Sequence, residues 1–503
     1  MSFKYAQILT DNRAIELDRL FTYIIPDKFK DSLKIGMRVL IPFGRNNRPI
    51  KGLVIDILDS YDGNFKLKEI VDVIDEESII SEELITLSKW IKDYYISSFL
   101  SSISLVLPPG DYKDVIYYFE IKDLKYNPKN LDETMLLEFI KNNKYTTLEI
   151  LKEKLNINNI NHIIKDLKKR DVIFTKVDIK TRISEKKIKY VKINDNISEE
   201  EINLKVKSAP KQKEIIEILK ENSEGLALSD LLKLANTSNS VTNSMLKKDI
   251  ILIFEEIVER KAISKEIEKY EKHILNEEQK YVYNTINDDF FMGKYNKFLI
   301  HGITGSGKTE IYLHLVEKMM KEKKQSIILV PEISLTPQTI DRFVGRFGDN
   351  VAVLHSKLSD GERFDQWKKI KNSEVSIVIG ARSAIFAPFN NLGLIIIDEE
   401  HEDSYKSGQN PKYDTIEVAE KRADMNNSLL VLGTATPSIN TYFKATNGNQ
   451  YKVLSLTKRA ANAILPDVEI VDMRLELEKG NKSIYSENLY NEMVRALDNK
   501  KQI

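Results

Sequence analysis

Hydrophobic and polar positions change their spacing three times along the chain. The first stretch has short apolar runs at Tyr5–Leu9, Phe21–Ile25, Arg38–Ile41 and Gly52–Asp56. Pro26, Gly36, Pro42-Phe43-Gly44 and Pro49 separate them. Short β-rich runs between turn residues predict a small β-rich module. From Glu83 to Tyr95 apolar residues recur three and four apart, which predicts a helix with Trp90 and Tyr94 on its core face. Leu107-Pro108-Pro109-Gly110 ends that pattern and marks a boundary.

In the middle of the chain, Leu148–Leu155 and Ile160–Arg170 read as two helices across a turn at Asn156-Ile157-Asn158. The β-rich run Val172–Val177 follows. The layout recurs as helices at Gln212–Leu219, Leu228–Leu232 and Ser240–Lys248, then a strand at Ile251–Ile257. Two winged-helix units in tandem fit this order, and the second helix of such a unit often enters a DNA groove. The charged stretch 262–273 reads as a linker. Beyond it, apolar strands alternate with amphipathic helices, the pattern of a parallel α/β sheet.

At 503 residues the chain has room for about three or four domains. Lys+Arg and Asp+Glu are equal at 76 each, so net charge argues neither for nor against nucleic acid. Its distribution is uneven: Lys165 to Lys192 holds eleven Lys/Arg against four Asp/Glu. Lys34, Arg38, Arg45, Arg48 and Lys51 form a basic edge beside Phe43. The absence of cysteine excludes disulfides, thiolate zinc sites and cysteine nucleophiles within these residues. It fits a reducing compartment. No run of about 18 apolar residues predicts a membrane span, and Met1–Gln7 lacks a signal-peptide core. A cytoplasmic location is expected.

The most specific stretch is His301–Glu310, between the apolar run Lys297–Ile300 and the amphipathic segment Ile311–Val316. Gly302, Gly307, Lys308 and Thr309 fit G-x-x-x-x-G-K-[ST]. The glycines let backbone N–H groups curl toward a phosphate, and the helix start adds free N–H groups. Lys308 would reach the β- and γ-phosphates and Thr309 would hold Mg²⁺. Thr304, Gly305, Ser306 and Glu310 complete the expected ATP loop. Gln279 upstream has an amide able to pair with an adenine edge.

Further blocks follow. Leu394–Ile397 delivers Asp398, which would assist Mg²⁺, and Glu399, which would activate the attacking water. His401 reads as a relay beside Glu400. Leu429–Leu432 leads to Thr434, Thr436 and Ser438, hydroxyls suited to couple nucleotide state to substrate position. Val330–Gln338 and Gly380–Ala384 are strand-to-loop edges, where ligands bind in open α/β folds. Arg382 and Ser383 are candidate contacts to a nucleic-acid backbone. Five of the six histidines lie at 273, 301, 314, 355 and 401, without metal-ligand spacing.

Together these blocks resemble the first motor lobe of superfamily-two helicases, and in detail the primosomal replication-restart helicase family. Gly302–Glu310, Val330–Gln338, His355-Ser356 with Glu362-Arg363, Gly380–Ala384, Asp398–His401 and Gly433–Ser438 are each similar to that family's motifs. So are Phe21–Tyr23 and Val39–Gly44. The resemblance implies a multidomain α/β chain. Residues 1–108 would bind a DNA 3′ end, 112–265 would be the winged-helix region, 270–460 a RecA-like ATP-binding lobe, and 461–503 the start of a second lobe. It implies ATP, Mg²⁺ and family zinc, whose cysteine ligands are absent here. It also implies forked and single-stranded DNA, primosome proteins and single-strand-binding protein as partners, and 3′–5′ unwinding.

Within that resemblance Phe21, Tyr23 and Arg38 are expected at the DNA end. Tyr405 and Tyr413 are expected in an aromatic loop that senses single-stranded DNA. Thr22 replaces an aspartate common in the family, with Asp18 the nearest carboxylate to substitute, and Lys412 stands where arginine is common. Leu465–Arg474 resembles the entry to the second lobe, so a C-terminally truncated, unwinding-deficient chain is expected. A non-enzymatic fork-binding module and another DNA translocase are the alternatives.

Overall fold

The structure is a computed structural model. It describes residues 4–12, 18–45, 47–110, 113–123, 125–181, 187–207, 209–257, 260, 267–332, 334, 337–448, 450–460 and 468–501. Ile333, Leu335, Thr336 and Leu465–Asp467, named above, lie outside the described residues.

The chain is a multidomain α/β protein. Its first module is an antiparallel sheet of β1 (Tyr5–Thr10), β2 (Leu20–Ile24), β3 (Arg38–Phe43), β4 (Arg48–Leu58) and β5 (Asp72–Val73), in the order β2-β1-β4-β3-β5. Alternation along β1 and β4 puts Ile8 and Val54 into a core with Tyr23, Val39 and Ile41. Gly52 has no side chain because Ile8 lies across from it, 2.3 Å from where a Cβ would sit. The helix Glu82–Tyr94 follows, N-capped by Ser81, and a short helix Phe99–Ser104 packs against it.

In the middle region β6 (Lys113–Ile121) pairs with β7 (Ile173–Thr181), with the helices Leu131–Asn142, Leu148–Lys154 and Ile160–Lys169 between them in sequence. The next sheet is β8 (Lys187–Ile193), β9 (Leu226–Ala227) and β10 (Ile251–Ile257), in the order β10-β8-β9, with its own helices and core. The predicted strand at Ile251–Ile257 is therefore the partner of β8.

The last region is a parallel sheet: β11 (Lys297–Gly302), β12 (Gln325–Leu329), β13 (Val351–Leu354), β14 (Ile377–Gly380), β15 (Leu392–Asp398), β16 (Leu429–Thr434) and β17 (Lys452–Leu456). The strand order is β13-β14-β12-β15-β16-β11-β17. These strands are nearly all apolar because helices cover both faces. Their carboxyl ends converge on one edge, so the loops after β11, β15 and β16, three adjacent strands, meet there.

Two expectations change. The described part of the supposed linker is packed: Tyr270 N–H donates to Gly345 O at 2.9 Å, and Lys272 pairs with Glu317 at 2.7 Å. Gly345 permits this close approach, since a Cβ there would meet Glu268 O at 2.5 Å. Tyr94 stacks on Trp90 at 4.8 Å between ring centroids but is exposed, whereas Trp90 is the one that packs on the core. That core is shared: one cluster joins Leu84, Ile91 and Phe99 of the first module to Leu299, Ile395 and Leu430 of the parallel sheet.

Candidate nucleotide site and its connections

The loop after β11 carries the geometry its glycines allow. Gly305 and Gly307 have φ of +80° and +82°, left-handed values that suit glycine. A Cβ at Gly307 would meet Gln279 Nε2 at 2.3 Å. Lys308 begins the helix Lys308–Lys321, and its buried ammonium donates to Gly302 O at 2.9 Å. Ser306 Oγ is buried without a hydrogen-bond partner among the described residues. A left-handed glycine loop, a buried hydroxyl and a lysine held beside it fit a phosphate group. Thr304 is exposed at the loop and Thr309 is half-buried in the first helical turn.

Two loop predictions need correcting. Gln279 is buried and already engaged at both ends: Nε2 donates to Ser306 O at 2.8 Å and Oε1 accepts from Asn276 N–H at 2.9 Å. As packed, it props the phosphate loop rather than presenting a free edge to adenine. Glu310 points away from the loop, accepting from His273 N–H at 3.3 Å and facing His314 at 3.3 Å and Arg346 at 3.6 Å. At the third helical position its side chain falls on the helix's buried side.

Two strands from the loop, β15 ends in the acidic pair. Glu399 Oε1 lies 3.8 Å from Lys308 Nζ. Asp398 Oδ1 accepts from Tyr312 Oη at 2.9 Å. Burial pushes the Asp398 carboxyl up to about 6, and Glu399 pushes it the same way; the Tyr312 hydroxyl and Lys308 pull it down. Glu399 has φ of +45°, unusual for a residue with a Cβ. Gly433 on neighbouring β16 keeps the contact open, for a Cβ there would meet Tyr312 Oη at 1.6 Å.

The coupling residues also meet. His401 Nδ1 is 2.8 Å from Thr434 Oγ1 and 3.7 Å from Glu399 Oε2. Thr434 Oγ1 accepts from Thr436 N–H at 3.1 Å. Glu400 does not serve His401. It is buried, accepting from Ser438 N–H at 2.7 Å and Thr441 Oγ1 at 3.0 Å. The acidic motif thus holds the loop after β16 by two routes.

The expected DNA residues fare differently. Tyr405 and Tyr413 are 1% and 3% exposed, so neither ring offers a face to a base. Tyr405 Oη donates to Asp398 O at 2.7 Å, and Tyr413 packs edge-on to Phe386. Arg382 is partly exposed over Tyr413 and donates to Lys406 O at 2.6 Å, while Ser383 is open to solvent. In the first module Tyr23 is buried, its hydroxyl pushed up to about 12 by burial. Arg38 is buried in a two-pronged pair with Asp75 at 2.9 and 2.7 Å. Phe21 stays at the rim, edge-on to Phe43 and beneath Arg19. Asp18 does not stand in for the missing aspartate: it accepts from Phe99 N–H at 2.8 Å and Leu100 N–H at 3.0 Å, fixing the short helix.

Sequence reasoning missed Tyr312, read only as part of an apolar helix face. It also missed Glu278, which holds the chain after β17 through Thr457 Oγ1 at 2.7 Å and the N–H groups of Thr457 and Lys458 at 3.0 and 3.1 Å. Ala460 N–H then donates to Gly305 O at 2.9 Å. None of these leaves a local sequence signal.

The chain is similar to known proteins in its front and last regions and along most of its length. A model described as the 3′ DNA-binding domain of PriA matches residues 8–108, and one described as the res subunit of type III restriction enzymes matches 271–439. The replication restart protein PriA of Bacillus subtilis is 37% identical over 505 residues, covering 98% of this chain and 60% of the relative. That of Synechocystis is 32% identical, covering 93% and 57%, and that of Haemophilus influenzae 30%, covering 93% and 57%. Among solved structures, RecG bound to a three-way DNA junction is 23% identical with a TM-score of 0.29, over 38% of this chain and 25% of that one. The Pyrococcus furiosus Hef helicase domain is 18% identical with a TM-score of 0.29, over 37% and 39%. The chain spans about three-fifths of the length of the curated relatives it matches. Over nearly its whole length the chain is similar in sequence to the replication restart protein PriA.

Proposed function

We propose that the chain carries the DNA-binding front and the ATP-binding lobe of an ATP-dependent 3′–5′ DNA helicase. Its task is to recognise stalled forks and restart replication through primosome assembly in the cytoplasm. The observation that carries this reading is the meeting of Lys308, Glu399 and Asp398 at one sheet edge, tied to Thr434 through His401. That is the arrangement phosphoryl transfer needs: cradle, cation, carboxylates and a link outward.

Bound Mg-ATP supplies the phosphoanhydride bond to be broken. The loop N–H groups, Ser306 and Lys308 would hold its phosphates, and Thr309 and Asp398 would hold Mg²⁺. Glu399 would accept a proton from the attacking water. Lys308 must leave Gly302 O to reach a phosphate, so that bond stabilises the empty loop and its loss is offset by the contact with the phosphate. Zinc belongs to the family rather than to these residues: the chain has no cysteine, and no group of three His, Cys, Asp or Glu among the described residues could hold a metal.

DNA would meet Phe21 at the module rim, Arg382 and Ser383 at the lobe edge, and the exposed Lys165, Lys168 and Lys169 of helix Ile160–Lys169. We read the two middle units as winged helices on this basis. Primosome proteins and single-strand-binding protein are the proposed partners.

The test is ATP hydrolysis and fork binding by this chain at fixed salt, on forks with a free or blocked leading-strand 3′-OH. Hydrolysis stimulated by DNA, lost in Lys308→Ala, and preference for the free end are expected. Fork binding without hydrolysis would shift the reading to an assembly module. Equal binding to both forks would refute end recognition and favour a general DNA translocase.

A further inference from the structure

We propose that Tyr95 is a positioning residue: its hydroxyl holds the hairpin Lys406–Asp414 and so ties the motor's DNA response to the N-terminal module. This rests on the reading above that the chain hydrolyses ATP in response to DNA.

Tyr95 follows the last turn of helix Glu82–Tyr94. Its hydroxyl accepts from Asp414 N–H at 3.1 Å and donates to Glu417 Oε2 at 2.9 Å, residues more than 300 positions away. Lys406 bridges Asp414, and Ser407 N–H donates to Tyr413 O at 2.8 Å, which closes the hairpin. The base of that hairpin has two further ties. Arg382 holds Lys406 O at 2.6 Å, and Tyr405 holds the backbone of Asp398 at 2.7 Å. Thr415 Oγ1 also donates to Tyr405 O at 2.7 Å. One short segment therefore touches the N-terminal module, the loop after β14 and the acidic motif.

Two observations mark this joint as more than packing. Ile96, next in the chain, has φ of +50° and is 94% exposed. A β-branched residue in the left-handed region is an outlier, and the position is one that glycine commonly fills at a helix end. No burial of Ile96 offsets the strain; the flanking bonds, Ser97 N–H to Lys92 O and Tyr95 to the hairpin, keep it in place. Beside it opens a cavity of about 1040 Å³, lined by Ile96, Ser97 and Lys51 on the module and by Asn410 from the hairpin. The hairpin tip borders open space on the side facing the module, so it has somewhere to move when the latch opens.

The test is Tyr95→Phe in the whole chain. The ring keeps its contacts with Trp90 and Tyr94 while the hydroxyl is lost. Without DNA, amide exchange of residues 406–414 should quicken about tenfold while β11 and β15 keep their protection. Basal ATP hydrolysis should stay within about twofold. The increment caused by fork DNA should fall about fivefold. Unchanged hairpin exchange would overturn the positioning role, and faster exchange with undiminished DNA stimulation would overturn the link. If Tyr95→Phe loosens the whole chain, Glu417→Ala must reproduce the hairpin effect by itself, or the proposal fails. A wild-type chain without ATP hydrolysis would defeat the functional reading, and the exchange measurement would still decide the role of Tyr95.

Discussion

Glu83→Ala separates a structural weld from a surface ion pair. Arg422 has a fully buried side chain whose Nε and Nη2 donate to Glu83 at 3.1 and 3.3 Å. Its remaining donors reach Ile385 O and, at 2.9 Å, Ala387 O. Asn426 Nδ2 adds a third donor to Glu83 at 3.0 Å. The pair joins helix Glu82–Tyr94 to helix Thr415–Asn426. Removing the carboxylate leaves a fully buried guanidinium with two carbonyls and without its Glu83 counter-charge. Such a buried uncompensated charge costs about 3–5 kcal/mol. At about 2–4 °C per kcal/mol for a unit of this size, the transition containing the parallel sheet should fall by about 6–20 °C.

Glu83→Gln keeps the shape and one acceptor but not the charge, so it should cost about 1–2 kcal/mol less than the alanine variant. Calorimetry of the whole chain reads both shifts. Limited proteolysis between residues 95 and 110 reports whether the module has undocked. A loss under about 1 kcal/mol for Glu83→Ala, or a Glu83→Gln variant as stable as wild type, would refute the claim that charge compensation holds this junction.

Three further outcomes follow from the same geometry. Tyr312→Phe removes the donor that lowers Asp398, so the Asp398 carboxyl should rise above about 6 and the acidic limb of the ATPase pH profile should move to higher pH; an unmoved limb would exclude Asp398 as the group titrating there. Ile96→Gly should stabilise by about 1 kcal/mol in thermal unfolding, because it removes a left-handed strain at an exposed site. Burial pushes Glu317 up, but Lys272 and Lys321 outweigh it and hold the carboxyl at about 2. A depressed folded value contributes stability above the ordinary value of 4.5 that is lost as pH falls toward about 2. Glu317→Gln should therefore lose about 1 kcal/mol at neutral pH, because its lysine partners are exposed and screened, and show a flatter acid dependence between those values.

The fold was largely legible where a local rule determines it. Leu394–Ile397 and Leu429–Leu432 can only be buried strands, and alternating them with amphipathic helices gives a parallel sheet. The phosphate loop was legible because its function lies in backbone shape, which needs glycine at Gly305 and Gly307. Side-chain roles were less legible. Arg38 opens a predicted strand, and Tyr405 and Tyr413 lie in segments without helical or strand periodicity, so their types alone suggested a ligand-facing surface. Each is instead satisfied by a distant partner: Asp75 for Arg38, the Asp398 carbonyl for Tyr405, Phe386 for Tyr413. A tyrosine with a backbone acceptor is as comfortable inside as any apolar residue, and no local pattern distinguishes the two cases.

These misplaced aromatics bear on how such a motor senses DNA. A loop of exposed rings would register a strand by direct stacking. Here the rings of Tyr405 and Tyr413 are packed, and the hydroxyl of Tyr405 bonds the backbone of Asp398. A strand that drew either ring out would have to open the core, and drawing out Tyr405 would break its bond to the Asp398 carbonyl. Under the proposed function, the closed loop would hold the acidic motif through the bond from Tyr405 to the Asp398 carbonyl. The N-terminal module shares a core with the motor and grips the same loop through Tyr95. Under the proposed function, DNA engaged by the module and nucleotide at the acidic motif would both act on this single packed element.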